Sequence, residues 1–471
     1  MVRQGFRLDP PSGGDEQVSQ IRTASSAGPG LDVRDLRELP WSSIDNDASR
    51  DLDQAELADR SEQGICVRVA IADVAAYVSR DSALDRFAAD QTQTVYTAVR
   101  NFPMLPVQLS TDLTSLNEAS DRRAVITEFT VGADGEAKDT AVYEALVRNG
   151  AQLAYSKVGP WLEGQANGAA KIGSSPTLQE QLRLQAEAAS ALHRRRLQDG
   201  ALDFTRVEAD LLVVDGQVQS LGVAHKNAAT ELIEELMIAS NEAIARTLRT
   251  AKRSCIRRVV RSPERWPRIV ELVKRYGVDL PAEADSAALN NFLIAQKKSD
   301  PDHYPELALS IIKLMGPGQY VLSTANDAEQ LGHFGLAARD YAHSTAPNRR
   351  YPDLVTQRIV KAMIARQPAP YTDEELSMIA AHCNDRESAA RKVERAMGKR
   401  EAAVALSNRV GATFRGVVTG ASSKGTYVRV FDPPVEGRVM QGEQGLDVGD
   451  RVEVILLHTD PQHAFIDFKR V

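Results

Sequence analysis

Ile44-Asp45-Asn46-Asp47-Ala48-Ser49-Arg50-Asp51-Leu52-Asp53-Gln54-Ala55 is the stretch that decides how this chain is read. Four carboxylates, Asp45, Asp47, Asp51 and Asp53, fall within nine residues and repel one another. A folded protein tolerates that only if positive charge sits among them or if they stay spread out in water. Hard divalent cations take oxygen ligands, and paired magnesium ions can clamp the attacking and leaving oxygens of a phosphodiester. If Leu52 is extended, Asp51 and Asp53 project to the same side. Taken alone, the plainer reading is a solvated acidic loop, since acidic clusters are common.

Working outward, a strand-like run from Cys66 to Val78 follows the loop. Then come Asn101-Phe102-Pro103-Met104-Leu105-Pro106 and Leu109-Ser110-Thr111-Asp112-Leu113-Thr114-Ser115-Leu116. Much later stand His333-Phe334-Gly335-Leu336 and Tyr341-Ala342-His343-Ser344-Thr345-Ala346-Pro347-Asn348-Arg349-Arg350-Tyr351-Pro352-Asp353-Leu354. Together with Asp-x5-Asp-x-Asp, these motifs resemble, in the same order, the catalytic domain of the ribonuclease II family. The resemblance runs from about Leu31 to the C-terminus. Several dispersed motifs in one order are far more specific than any single one.

Length and composition agree. A chain of 471 residues suggests two or three domains, and 43% apolar with 26% charged residues is the composition of a globular protein. No stretch approaches the length of a membrane span, and Met1 to Arg7 lacks the apolar core of a signal peptide. Cys66, Cys255 and Cys383 are isolated, without zinc spacing or a disulfide framework, so a reducing cytoplasm is the expected compartment. The net charge of −7 excludes a basic coat over the whole surface but not a local basic groove.

Three segments are expected. Residues 1–30, with Pro10-Pro11-Ser12-Gly13-Gly14 and Ala24-Ser25-Ser26-Ala27-Gly28-Pro29-Gly30, read as a flexible tail. Residues 31–409 alternate strand and helix patterns, with an apolar stripe over Thr230 to Arg249 and a long helix over Asp373 to Asn408. Residues 410–471 change to short strands broken by glycines, Phe414 to Gly420, Gly425 to Val430 and Arg451 to Leu456, the rhythm of a small barrel. The fold class is therefore α+β: a mixed sheet surrounded by helices, followed by an all-β barrel that resembles an S1-type RNA-binding OB-fold. Gly420-Ala421-Ser422-Ser423-Lys424-Gly425-Thr426 lacks the Lys of a phosphate loop and has strands on both sides.

The resemblance implies roles for particular residues. Asp45, Asp51 and Asp53 match the family's acidic positions, which hold magnesium (manganese as the alternative) and position the attacking water. Gln54 stands where the family normally has Asp; its carbonyl can ligate a metal but brings no charge, so metal affinity should fall. Arg349 matches the arginine that steadies the scissile phosphate, a task suited to a planar, permanently charged fork, and Arg350 beside it is expected on the RNA. Tyr96 matches an aromatic near the last nucleotides, Tyr155 a tyrosine that sets the 3′ end, and Phe204 a base-stacking aromatic; stacking is sequence-tolerant. Glu234 matches a glutamate near the terminal ribose, where a carboxylate can accept from the 2′-hydroxyl. Glu394 matches a later family glutamate. Gln357 replaces a family His and is given no role. Arg194, Arg195, Arg196, Arg246, Arg249, Lys252, Arg253, Arg257 and Arg258 are candidates for an RNA path.

The resemblance thus implies a magnesium-dependent exoribonuclease that degrades single-stranded RNA from the 3′ end to nucleoside 5′-monophosphates. An RNA-binding relative with weakened or lost catalysis is the alternative, because of Gln54. The family usually carries two cold-shock OB-folds ahead of the catalytic domain; about thirty residues stand there here, so a looser grip at the channel entrance is expected.

Overall fold

The computed structural model describes residues 1–9, 11, 13–25, 33–97, 100–165, 170–202, 204, 208–214, 217–224, 226–261, 263, 265–301, 304–325, 327, 332–423 and 425–471. In chain order the larger part carries α1 (Gly14–Ser25), β1 (Arg34–Asp35), β2 (Trp41–Asp45), β3 (Gln54–Ser61), β4 (Gly64–Ala72), α2 (Ala83–Gln91), β5 (Asp121–Val131) and β6 (Ala137–Ala154). It continues with α3 (Tyr155–Leu162), α4 (Ala170–Gly173), α5 (Pro176–Gln198), β7 (Glu208–Val214), β8 (Gln217–Ala224), α6 (Ala228–Thr250) and β9 (Cys255–Val259). After these come α7 (Trp266–Lys274), α8 (Ser286–Ser299), α9 (Tyr304–Met315), β10 (Gln319–Ser323), α10 (Tyr351–Ile364) and α11 (Asp373–Ala405).

The main sheet runs β1-β6-β2-β3-β4-β5, and a second pairing of β6 with β5 closes it on itself. The long strand β6 makes this possible. From Ala137 to Arg148 it lies antiparallel to β5, and from Asn149 to Ala154 it runs parallel to β2. The tight β3–β4 connection needs Gly64: its φ is +141°, and a Cβ there would meet the Val131 carbonyl oxygen at 2.1 Å. One face of the sheet packs on α10 through Leu354, Val355, Ile359 and Val360. The other packs on α5 and α6 through Leu182, Leu184, Leu232 and Leu236. A sheet covered on both faces hides polar residues that a period-two pattern would send to solvent.

The helical stripe read from Thr230 to Arg249 is α6, capped by Asn227, whose side chain accepts from the Ala229 and Thr230 N–H groups. The long helix expected to end at Asn408 ends at Ala405, and Ser407–Arg409 continue as one tight 3-10 turn. The run read as strand from Cys66 to Val78 is strand only to Ala72. There Asp73 caps a short 3-10 turn over Val74–Ala76, accepting from Ala76 N–H at 3.1 Å. Gln357 pins this end: its amide nitrogen donates to the Ala72 carbonyl at 2.8 Å and its oxygen accepts from Ala75 N–H at 2.9 Å. The position left without a role in the sequence is thus a structural clasp.

The flexible tail expected for residues 1–30 needs correction over the residues described. Val18 and Ile21, three apart on α1, are buried in the main core, and Gln17 accepts from the Leu84 N–H at 3.1 Å. Phe6 is buried beside Val95, Ala390 and Val393, with the Arg386 guanidinium 3.8 Å over its ring. These apolar residues were hidden among glycine, proline and serine. Residues 26–32, which include the expected boundary at 30/31, lie outside the described residues.

The C-terminal part is a closed barrel, β11-β12-β13-β15-β14, formed by β11 (Thr413–Ser422), β12 (Gly425–Val430), β13 (Glu436–Gln441), β14 (Arg451–Asp460) and β15 (Phe465–Arg470). The α+β class with an OB-type barrel holds. Three of the five strands were legible; β13 and β15 are six residues each and carry charges at alternate positions. Phe414, Val428, Val454 and Phe468 fill the barrel, and Ala402, Ala403 and Leu406 at the end of α11 plug it. Lys313 pairs with Glu436 at 3.1 Å, a polar tie between the barrel and α9. No helix among the described residues is long and apolar enough to cross a membrane.

Candidate active site

The acidic loop joins the end of β2 to the start of β3. Asp45 closes β2; its Oδ1 accepts from Asn46 N–H at 2.7 Å and from the Ser49 hydroxyl at 2.9 Å, which shapes the turn. Leu52 anchors the loop in the core at 1% exposure, leaving Asp51 and Asp53 on either side of it in sequence. The motif Leu109 to Leu116 holds this backbone in place. Ser115 Oγ donates to the Arg50 carbonyl at 2.7 Å and accepts from Leu52 N–H at 2.9 Å, and Leu116 N–H donates to the Leu52 carbonyl at 3.0 Å.

The Thr345 to Arg350 turn meets the loop from the other side. Asn348 N–H donates to Asp53 Oδ1 at 3.1 Å, and Arg349 Nε donates to Asp53 Oδ2 at 3.1 Å. Thr114 Oγ1 donates to Asn348 Oδ1 at 2.6 Å, so the two motifs lock each other. Thr94 N–H donates to the Arg349 carbonyl at 3.0 Å, which lays the Tyr96 segment alongside. The Tyr96 hydroxyl then donates to Asp51 Oδ2 at 3.0 Å. The structure therefore gathers Asp51, Asp53, Tyr96 and Arg349, residues up to 298 positions apart in sequence, into one hydrogen-bonded group (349 − 51 = 298).

Asp53 is 1% exposed, while the Arg349 side chain is 43% exposed. Burial pushes the Asp53 carboxyl up to about 7, Arg349 and the Asn348 N–H oppose the rise, and the charge of Asp51 adds to it. The carboxylate is thus short of positive charge, and the arginine that answers it keeps a partly exposed side chain. On the far flank, Asp45 acts on Tyr155, the first residue of α3; burial raises that phenol, and Asp45 and Glu56 raise it further. Gln54 opens β3 and is 8% exposed.

The donor set fits a hard divalent cation in kind: it offers only oxygen from carboxylates and one amide, and the buried Asp53 lacks compensating charge. In this structure each carboxylate is turned to a protein partner. Among the described residues, no three His, Cys, Asp or Glu side chains converge closely enough to hold a metal ion.

The remaining expected residues lie elsewhere. Arg350 stands at the N-cap position of α10 and donates to Asp353 Oδ1 at 2.7 Å, with its side chain 24% exposed. Glu234 is exposed on α6 and pairs with Lys226 at 2.8 Å. Phe204 packs, half-buried, beside the cluster of Trp266, Leu289 and Phe292. Glu394 sits half-buried on α11, where burial raises its carboxyl. Among the described residues these three make no hydrogen bond or ion pair with the acidic loop. Most of the candidate RNA-path arginines are committed too: Arg195 to Asp199, Arg196 to Glu235, Arg249 to Asp340, Arg253 to the Gln367 carbonyl and Arg258 to Glu387. Sequence reasoning missed Asn348, Ser115 and Thr114, whose only signal was membership of the two motifs.

Comparison with known proteins now carries the class. The RNB domain matches residues 33–366, and the RNase II-type exonuclease C-terminal S1 domain matches residues 412–471. This chain belongs to the RNB-domain family. Among curated relatives, Ribonuclease R of Vibrio parahaemolyticus is 30% identical over 421 residues, covering 86% of this chain and 49% of the relative. Ribonuclease R of Escherichia coli is 29% identical over 473 residues, covering 93% and 57%. The chain thus spans about half the length of the curated relatives it matches. The solved structure of Mycoplasma genitalium RNase R in complex with double-stranded RNA superposes with a TM-score of 0.87 at 25% identity, covering 100% of this chain and 82% of that one.

Proposed function

We propose that this chain is a divalent-metal-dependent exoribonuclease that shortens single-stranded RNA from its 3′ end and releases nucleoside 5′-monophosphates. The observation that carries the reading is the Asp53–Arg349 pair: a buried carboxylate short of positive charge beside an arginine whose side chain is 43% exposed. Family membership and the Ribonuclease R relatives support the reaction class.

Magnesium, or manganese, would be held by Asp45, Asp51 and Asp53 with the Gln54 carbonyl, and would supply an acidified water and stabilise charge on the leaving oxygen. Arg349 would hold the scissile phosphate and meet the charge that grows on it. Asp53 would orient the attacking water through the oxygens it now gives to Asn348 and Arg349. Tyr96 would stack near the last nucleotides, Phe204 on a base further along, and Tyr155 and Glu234 would hold the terminal ribose. The barrel would grip RNA outside the site. Cytoplasmic RNA is the proposed substrate pool.

A specific observation favours a second reading, an RNA-binding relative with weakened nuclease activity: Gln54 stands where a carboxylate is normal, and the acidic side chains do not converge. The deciding experiment is incubation of 5′-end-labelled single-stranded RNA with the purified chain, with magnesium, with manganese and with chelator. The proposal expects a ladder of 3′-shortened products only with metal. Tight RNA binding with no shortening under either metal would establish the second reading.

A further inference from the structure

Residues 1–9 lie outside both matched domains, the first of which begins at residue 33, yet they pack directly beneath the segment that carries Tyr96. Val95, the neighbour of Tyr96, is 0% exposed and sits under the ring of Phe6, itself 2% exposed. Val95 and Phe102 exchange both backbone hydrogen bonds at 2.9 Å across an antiparallel bridge, so the segment returns on itself just beyond Tyr96. Phe102 packs against the same cluster. Polar contacts fix the strap in place. Arg386 on α11 donates from Nη1 to the Gln4 carbonyl at 3.0 Å and from Nη2 to the Gly5 carbonyl at 3.1 Å, with its guanidinium 3.8 Å over the Phe6 ring. Gln91 Nε2, at the end of α2, donates to the Arg7 carbonyl at 2.6 Å. Gly5 turns the chain between them with φ +79°.

The cluster of Phe6, Val95, Ala390 and Val393 is a small satellite, separate from the two cores that flank the main sheet. Its contacts are local: the strap on one side, α11 on another and the Tyr96 segment on the third. Tyr96 is 40% exposed, and its hydroxyl reaches Asp51. An exposed ring keeps one angle only if the backbone beneath it is held, and a contact residue whose support is loose binds its ligand more weakly. We propose that Phe6 is a positioning residue for RNA binding: it presses on Val95 and so fixes the angle at which Tyr96 meets the end of the RNA. The proposal rests on the assignment of Tyr96 to RNA stacking above and adds the element that holds it.

The test measures binding without turnover. The affinity of a short, fluorescein-labelled single-stranded RNA is read by anisotropy in chelator for the full chain, Phe6→Ala, Phe6→Leu, Tyr96→Ala and the double variant Phe6→Ala/Tyr96→Ala. Thermal melting checks that each variant folds. Tyr96→Ala should weaken binding at least about fivefold, the scale of one lost base stack, and Phe6→Ala about threefold or more. Phe6→Leu keeps an apolar side chain under Val95 and should stay within about twofold of the parent, and the double variant should bind within about twofold of Tyr96→Ala, because both changes act through one ring. Should Phe6→Ala fail to fold, Arg386→Met takes its place: it frees the Gln4 and Gly5 carbonyls, leaves Phe6 itself intact and should weaken binding in the same Tyr96-dependent way. A merely structural Phe6 would lower the melting temperature and leave affinity unmoved. Parental affinity in Phe6→Ala, with loss in Tyr96→Ala, would therefore overturn the proposal and leave Tyr96 on the RNA. So would losses that multiply in the double variant. Parental affinity in Tyr96→Ala would take Tyr96 off the RNA, and this proposal with it.

Discussion

Asp53 and Glu235 are each 1% exposed in the same domain, and the protein treats the two carboxylates in opposite ways. Glu235, on α6, receives the whole Arg196 fork, Nε at 2.8 Å and Nη2 at 2.5 Å, and its Oε1 lies 2.7 Å from His193 Nδ1. Burial alone would raise its carboxyl, but the hydrogen bonds from Arg196 and His193 bring it below the ordinary range. Asp53 receives one guanidinium nitrogen and one backbone N–H, and burial takes it up to about 7. The Glu235 carboxylate is fully hydrogen-bonded, although it and Arg196 line a cavity of about 450 Å³ between α5 and α6. The acidic loop is left with a carboxyl that burial raises despite its partners, beside an arginine whose side chain is partly exposed. That deficit distinguishes a site that awaits a ligand from a site that holds the fold together.

The comparison can be broken most sharply at Arg196. Arg196→Ala would leave the buried Glu235 with His193 as its remaining hydrogen-bond partner, and breaking a buried pair in this way typically costs about 3–5 kcal/mol. Urea denaturation should show that loss, with the residual folded protein still cleaving RNA. A stability change near zero would mean that the Glu235 cluster is no more structural than the acidic loop.

A smaller effect of opposite sign is expected at Asp53. Its folded-state carboxyl is raised from 3.8 to about 7, so its contribution is intact at low pH and is lost as pH rises from about 4 through about 7. In chelator, Asp53→Asn should therefore match the parent near pH 4 and be more stable at pH 8, by about 1–3 kcal/mol. Glu235, lowered below its ordinary value, loses its contribution in the other direction, as pH falls. Melting curves across pH for Asp53→Asn and Glu235→Gln read both signs. An Asp53→Asn variant that is less stable than the parent at pH 8 would equate the two carboxylates.

The smallest effect is at Gln54. Gln54→Asp adds a carboxylate to the deficient region and should lower the metal concentration for half-maximal RNA shortening by several-fold. An unchanged or higher requirement would place residue 54 outside the metal shell.

Much of this contrast was legible in the sequence, for reasons that particular residues make plain. Asp45, Asp51, Asp53 and Arg349 could be singled out because a cation-and-phosphate site needs charged groups at fixed spacing, and that spacing is present in the chain as motifs; the structure brings Asp51, Asp53 and Arg349 together. The burial of Glu56 was not legible. In Gln54-Ala55-Glu56-Leu57-Ala58 it occupies a polar position of a period-two strand, which ordinarily faces solvent; here α5 and α6 cover that face of the sheet. Glu235 and Arg196 were invisible as a pair because they are 39 residues apart on two helices. Arg350, beside Arg349, reads in the sequence as a second phosphate contact; in the fold it precedes α10 and donates to Asp353, a partner the sequence did not announce. The docked helix α1 was missed because Val18 and Ile21 are a short stripe inside a polar, glycine-rich stretch.

Asp53→Asn, assayed on one oligonucleotide by fluorescence anisotropy and by single-turnover cleavage, tests the account most directly. The substitution keeps the side-chain shape and removes a charge from a group that faces a polyanionic substrate. Interactions needed mainly in the transition state show in turnover rather than in substrate binding. The account predicts RNA affinity within a few-fold of the parent and cleavage slower by at least about a hundredfold, the scale set by removal of one such stabilising group. Near-parental cleavage by Asp53→Asn would contradict it and remove the acidic loop from the chemistry.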